Sequence, residues 1–137
     1  QAVSRGLGDV YKRQAQADET VEIFDLYKKC IANLKKNNSI EKTLRNFELD
    51  ILSVLGYEIN FQSDYDNNER IISGCNYKYS PQSGFMKSKN GYDGKMLNEI
   101  NKREFSKDSL RVCKEINRST INYYFEELNI KSRIFFK

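Results

Sequence analysis

A chain of 137 residues with 39% hydrophobic and 31% charged residues and a single proline suits one largely helical domain, not a disordered or fibrous protein. Histidine is absent, which excludes His-based acid–base catalysis, Cys-His nucleophiles and most zinc sites. The formal net charge of +4 permits contact with nucleic acid without demanding it.

No apolar run approaches the ~18 residues of a membrane span, and there is no signal-peptide pattern. Cys30, Cys75 and Cys113 are single and far apart, as reduced cytosolic thiols are. Residues 1–14 show no helical period and end in Asp9-Val10-Tyr11-Lys12-Arg13-Gln14, which reads as a translated sequencing adapter. They are expected to be a non-native leader, with the domain proper at 15–137. Setting aside Arg5, Lys12, Arg13 and Asp9 leaves 20 basic and 18 acidic residues, so half of the basic excess lies in that leader.

A first helix is predicted after N-cap candidates Asp18 and Thr20. Its apolar stripe is Val21, Phe24, Tyr27, Ile31 and Leu34, and it runs to Lys35 and Lys36, cations that suit a helix C-terminus. Ser39 caps a second helix with Glu41 in its first turn, the stripe Ile40, Leu44, Phe47, Ile51 and Leu55, and Gly56 as the left-handed stop. Two antiparallel helices should result. At about 100° per residue, Arg45, Leu49 and Leu52 gather on a separate flank of the second helix.

From Tyr57 to Ser73 polar residues predict a loop. Tyr77-Lys78-Tyr79 and Phe85-Met86-Lys87, around Ser80 to Gly84, predict a β-hairpin. Asp93 caps a short helix carrying Met96, Leu97 and Ile100, and Ser106 a long last one with Leu110, Cys113, Asn117, Ile121, Tyr124 and Leu128 on its apolar side. The fold class is thus mainly α with a small β-hairpin insert.

Two constellations stand out. The Arg45, Leu49, Leu52 flank suits a peptide with an aromatic ring and a carboxylate, the ring buried on the leucines and the carboxylate paired with Arg. The plainer alternative has both leucines packing on another helix and Arg45 at the surface. Lys107, Arg111, Lys114 and Arg118 fall within about one-sixth of a turn and suit phosphate tracking, or an ordinary solvated face. Lys131 and Arg133 add two cations near Phe135 and Phe136, aromatics that suit base stacking or core packing. The acidic residues Asp64, Asp66 and Glu69 lack EF-hand spacing and read as plain loop. Nothing has the form of a phosphate-cradling glycine loop or a nucleophile elbow, so the chain reads as a binder and not an enzyme.

Leu44-Arg45-Asn46-Phe47-Glu48-Leu49 followed by Leu55-Gly56-Tyr57 resembles the signature of the RecO family of bacterial recombination mediators. Tyr77-Lys78-Tyr79 with Gly84-Phe85, then Asn101-Lys102-Arg103-Glu104-Phe105, then Lys131-Ser132-Arg133 with Phe135, are similar to later motifs of that family in the same order, so the resemblance covers about residues 18–137. It implies the helical C-terminal part of a cytoplasmic, nucleoid-associated protein whose N-terminal OB-fold is missing from this sequence. It further implies a receptor for the acidic, Phe-ending tail of single-stranded DNA-binding protein at Arg45, Leu49 and Leu52. DNA contacts through Lys107, Arg111, Lys114, Arg118, Lys131 and Arg133 are implied as well, weak in this fragment, with RecR a partner of the full-length family. Annealing of coated strands and RecA loading follow, without a cofactor or a membrane. Many members carry a four-cysteine zinc module; here Phe61 to Cys75 keeps one cysteine, so the hairpin is expected to be held by packing. The alternative is an unrelated helical interaction domain without a DNA role.

Overall fold

The computed structural model describes residues 20–36 and 39–135, with side chains of the last helix described as far as Glu126. The expected leader, the cap Asp18 and the side chains of Leu128, Lys131, Arg133, Phe135 and Phe136 lie outside the described residues. Among the described residues, four helices and one three-stranded antiparallel sheet run in the order α1 (residues 20–35), α2 (Ile40–Val54), β1 (Asn76–Ser80), β2 (Gly84–Ser88), β3 (Tyr92–Asp93), α3 (Gly94–Lys102) and α4 (Lys107–Phe135). This is the mainly α class with a small β insert. The chain divides into two compact units at Glu58/Ile59.

In the first unit α1 and α2 run antiparallel: residues 22–29 lie beside residues 50–54, and the Tyr27 and Phe47 rings meet edge-on at 6.5 Å. Ser39 caps α2 as its sequence dictates, its Oγ accepting from Lys42 N–H at 3.4 Å. At the other end Gly56, at φ 86°, turns the chain left-handed. Tyr57 N–H then reaches Leu52 O at 2.8 Å and Gly56 N–H reaches Ser53 O at 3.1 Å, a Schellman stop.

The stripe expected on α1 is corrected in its first half, while its later members Ile31 and Leu34 are half-buried. Val21, Phe24 and Tyr27 are exposed by more than half, whereas Cys30 is buried and Ile23, Leu26 and Leu34 are half-buried. The helix carries two apolar registers, and the one ending on the small thiol turns inward. The outward Phe24 ring is partly covered by the Lys28 ammonium, 4.4 Å from its centroid. Thr20 is already helical and is not the cap.

In the second unit the sheet order is β2-β1-β3, with Tyr77 opposite Lys87 on one side and Tyr92 on the other. The third strand extends the expected hairpin. Tyr77 and Phe85 are fully buried, and Phe85 lies 5.4 Å from Phe61 and 4.8 Å from Tyr79, ring to ring. That aromatic cluster joins the hairpin to the segment before it, the packing that the sequence called for. The segment itself is no slack loop. Ser63 bridges Arg70, and Asp64, 1% exposed, accepts through Oδ1 from Asn67 N–H at 2.8 Å and Glu69 N–H at 3.4 Å. A carboxylate bonding to the backbone ahead of it is what folds this polar stretch into a tight turn.

Two glycines mark where backbones meet. A Cβ on Gly91, at φ 147°, would strike the Tyr77 carbonyl, and one on Gly94 would strike the Ile72 carbonyl. Asp93 caps α3 through Oδ1, which accepts from Lys95 N–H at 3.0 Å and also from Gly74 N–H at 3.2 Å. Those two donors hold the Asp93 carboxyl below its ordinary value.

Ser106 and Ser109 cap α4 reciprocally, and Ser106 Oγ also donates to Glu99 Oε2 at 2.9 Å, joining α3 to α4. The buried side of α4 is broader than expected: Ser109, Val112, Ile116 and Thr120 join Leu110, Cys113 and Asn117. Three tyrosines seat the sheet on it. Tyr92 donates to Glu115 Oε2 at 3.1 Å, Tyr124 donates to Pro81 O at 3.1 Å, and Tyr79 Oη lies 2.6 Å from Thr120 Oγ1. Thr120 spends its own proton on Ile116 O at 2.7 Å, so Tyr79 is the donor between the two hydroxyls.

Thr120→Val should therefore strand the Tyr79 hydroxyl and cost about 1–2 kcal/mol in urea unfolding. Asp93 stabilises the fold fully above the ordinary carboxylate pKa of about 4, and this contribution is lost as pH falls through the lower folded value. Asp93→Asn should keep much of the cap but flatten the fall in stability below about pH 4, followed by circular dichroism.

Candidate functional site

Arg45, Leu49 and Leu52 sit within about one-sixth of a turn on α2. They form its deeper side: Leu52 is 0% exposed, and Leu49 and Arg45 are each 7% exposed. Of the five-residue stripe, Ile40 is 62% exposed and Leu44, Phe47, Ile51 and Leu55 are half-buried. The roles of the two faces are thus reversed. The longer stripe made it look like the core, but the narrower side is the more deeply buried. Arg45 is therefore neither a surface residue nor a rim residue.

A buried guanidinium needs a partner. Arg45 has Glu48, one turn on. Its Nη2 donates to Glu48 Oε2 at 3.0 Å, and its Nε lies 2.7 Å from Oε1. The side chains are 9% and 26% exposed respectively, so Glu48 is the member nearer water. Glu48 belongs to neither constellation expected from the sequence, although its i, i+3 spacing from Arg45 was there to read.

The second constellation lies in the other unit. Lys107, Arg111, Lys114 and Arg118 are all exposed along one face of α4, turned away from its buried side. None is held in an ion pair among the described residues. The helix continues through Asn129–Phe135, so the backbone of Lys131 and Arg133 prolongs the same rod.

A polar cavity of about 620 Å³, not expected from the sequence, lies between the 62–73 turn and the end of α3. Gln62, Asn68, Arg70, Asn98 and Lys102 are among its lining. It exists because the 62–73 segment is a folded turn, which its composition alone did not reveal. Among the described residues no group of three His, Cys, Asp or Glu side chains could hold a metal ion. No helix there is long and apolar enough to cross a membrane.

A double-mutant cycle of Arg45→Met and Glu48→Ala, read by urea unfolding, should give a coupling of about 1 kcal/mol or more, above the 0.3–0.5 of an exposed helical pair.

Residues 15–134 match the family model described as "Recombination protein O C terminal". The chain is 34% identical over 122 residues to the DNA repair protein RecO of Salmonella dublin, and equally to that of Salmonella enteritidis PT4 (strain P125109). Those alignments cover 85% of this chain and 50% of each relative. The chain thus spans about half the length of the curated relatives it matches. A match this long leaves no room for an unrelated domain that merely mimics the motifs.

Proposed function

This chain belongs to the recombination protein O C-terminal family, and we propose that it is a DNA repair and recombination module that acts by binding, not by catalysis. The observation that carries this reading is the outer face of α4. Four cations at Lys107, Arg111, Lys114 and Arg118 stand exposed with no carboxylate claiming them among the described residues, on a helix anchored along its opposite side. A row of free cations on a rigid rod follows a phosphate backbone without reading bases, as strand annealing requires. Lys131 and Arg133 further along α4 would lengthen the track.

The second contact is with protein. Arg45 with Leu49 and Leu52 would receive the acidic, Phe-ending tail of single-stranded DNA-binding protein, Arg45 taking the terminal carboxylate and the leucines the ring. Family membership and the grouping of the three residues on one helical face support that assignment, which requires Leu49 and Leu52, 7% and 0% exposed, to open to the ring. In the longer protein, together with RecR, such a module would bring coated strands within reach of annealing and RecA loading.

Affinity for single-stranded DNA should fall with salt at a log–log slope near −3, about 0.7 for each of four phosphates neutralised. Arg111→Glu with Lys114→Glu should flatten that slope by about half while leaving the circular dichroism spectrum unchanged, since both side chains are exposed. A slope insensitive to the substitutions would remove the α4 face from the site. For the tail contact, deleting the final Phe of the peptide should abolish binding, and Arg45→Ala should weaken the intact peptide by roughly 1.5–3 kcal/mol; equal binding of the two peptides would reject the tail receptor.

A further inference from the structure

The cavity beside the 62–73 turn, at about 620 Å³, is of the size that small-molecule sites occupy, about 300–1,000 Å³. Its lining is one-sided in charge. Arg70 and Lys102 both line it, and no Asp or Glu does. Both cations are exposed, and neither is in an ion pair among the described residues. Two carboxylates close by in sequence are engaged elsewhere: Glu69 accepts from Lys87 Nζ at 3.0 Å, and Glu99 Oε2 from Ser106 Oγ at 2.9 Å. Most of the remaining polar lining is carboxamide, from Gln62, Asn68, Asn98 and Asn101. Among the described residues no hydrogen bond within the protein takes up any of these four amide groups. Ile72, 47% exposed, adds an apolar patch to the wall. The walls are fixed. Gln62 O accepts from Ile71 N–H at 2.9 Å, Ser63 bridges Arg70, and Ile72 N–H donates to Tyr77 Oη at 3.1 Å. Opposite, Asn98, Asn101 and Lys102 are spaced i, i+3, i+4 and share one face of α3. The carbonyls of Ile100 and Glu99 accept from Arg103 and Glu104 N–H at 3.0 Å each, which quiets the negative end of that helix.

We propose that this cavity is a nucleotide site, taking the phosphate of a purine nucleotide on Arg70 and Lys102 and its base on the carboxamides and Ile72. Two open cations with no carboxylate beside them favour a dianion, and a terminal phosphate carries about −1.5 to −2 at neutral pH. A bare anion would leave the four amides unused. Each carboxamide sets a donor beside an acceptor, the pairing that matches the N6/N7 edge of adenine two-handedly. Ile72 offers the apolar surface that the face of the base needs. The site differs in kind from the outer face of α4. That face follows a backbone and ignores the bases, whereas this cavity admits one nucleotide and reads its edge. A base enters a cavity only when it is unstacked, so the ligand is a free nucleotide or the unpaired, phosphorylated end of a strand.

The test titrates the isotope-labelled 137-residue chain with adenosine monophosphate, adenosine or inorganic phosphate and follows the backbone amide resonances. Adenosine monophosphate should move the amides of residues 62–73 and 98–102 and bind at least about tenfold tighter than either of its parts. Arg70→Ala and Lys102→Ala should each weaken it by about tenfold, the loss of one charged hydrogen bond, with an unchanged circular dichroism spectrum because both side chains are exposed. Asn101→Ala should weaken the nucleotide and leave the affinity for inorganic phosphate as it was. Arg111→Glu with Lys114→Glu should leave nucleotide binding intact, which separates this site from the α4 face. A short single strand with and without a 5′-phosphate on a terminal adenosine names the source. If the phosphorylated end moves the same amides, the site takes strand ends; if only the mononucleotide does, it takes free nucleotide, and either result supports the proposal. Phosphate or adenosine binding as tightly as the nucleotide would overturn it. So would shifts confined to α4, or none with any of these ligands, which would leave the cavity to solvent.

Discussion

Tyr77 ties the second unit together. Its ring is fully buried, and its hydroxyl accepts the Ile72 backbone N–H at 3.1 Å. Its backbone pairs with both neighbouring strands, and its carbonyl passes so close to residue 91 that a side chain there is excluded. Its ring edge lies 3.0 Å from where a Cβ on Gly94 would stand. The turn before the sheet, the third strand and the start of α3 thus converge on one side chain. Burying an aromatic of this size contributes about 2–3 kcal/mol by itself. The larger consequence is geometric, since three backbone segments have no alternative path while that ring is in place.

What Tyr77 organises, α4 uses. The sheet is fastened to one side of the helix by hydroxyls from Tyr79, Tyr92 and Tyr124, and the aromatic cluster of Phe61, Tyr79 and Phe85 backs that contact. Burial pushes the Tyr79 and Tyr92 phenols up, so both remain protonated donors across the neutral range. With one side committed to packing, the other is free to carry charge. The first unit shows the opposite economy. There α2 buries its Arg45 side, and that cation is neutralised locally by Glu48.

Local chemistry was the most legible part of the chain. Ser39, Asp93 and Ser106 cap the helices they were expected to cap, and Gly56 stops α2, because these roles depend on the nearest few residues. The choice between competing faces was not legible. Phe24 and Tyr27 outweigh Cys30 in hydrophobicity, yet Cys30 is buried, since orientation is decided by what the helix meets and not by its own stripe. The same holds for α2, where Leu49 and Leu52 looked like a flank. The 57–73 stretch was legible as a loop, but not its tight folding, because Asp64 is polar by composition and buried by geometry; its hydrogen bonds to the backbone, invisible to hydropathy, make the difference. Arg45 and the α4 cations could be picked out as charges. Their states, one paired and buried, four open, depended on tertiary structure.

The regular helix also sets a ruler. Lys107 to Arg118 advances eleven residues along α4, or about 16 Å at 1.5 Å per residue. Successive phosphates on one strand of a duplex are spaced by about 3.4 Å along the axis, so the row matches about five such steps. Because the cations lie on one nearly straight line and not around the helix, they suit a single strand laid lengthwise better than two strands straddled at once. On the proposed reading, the footprint of this face would be short and one-dimensional, a patch that would hold a strand briefly and leave its bases facing outward to find their complement.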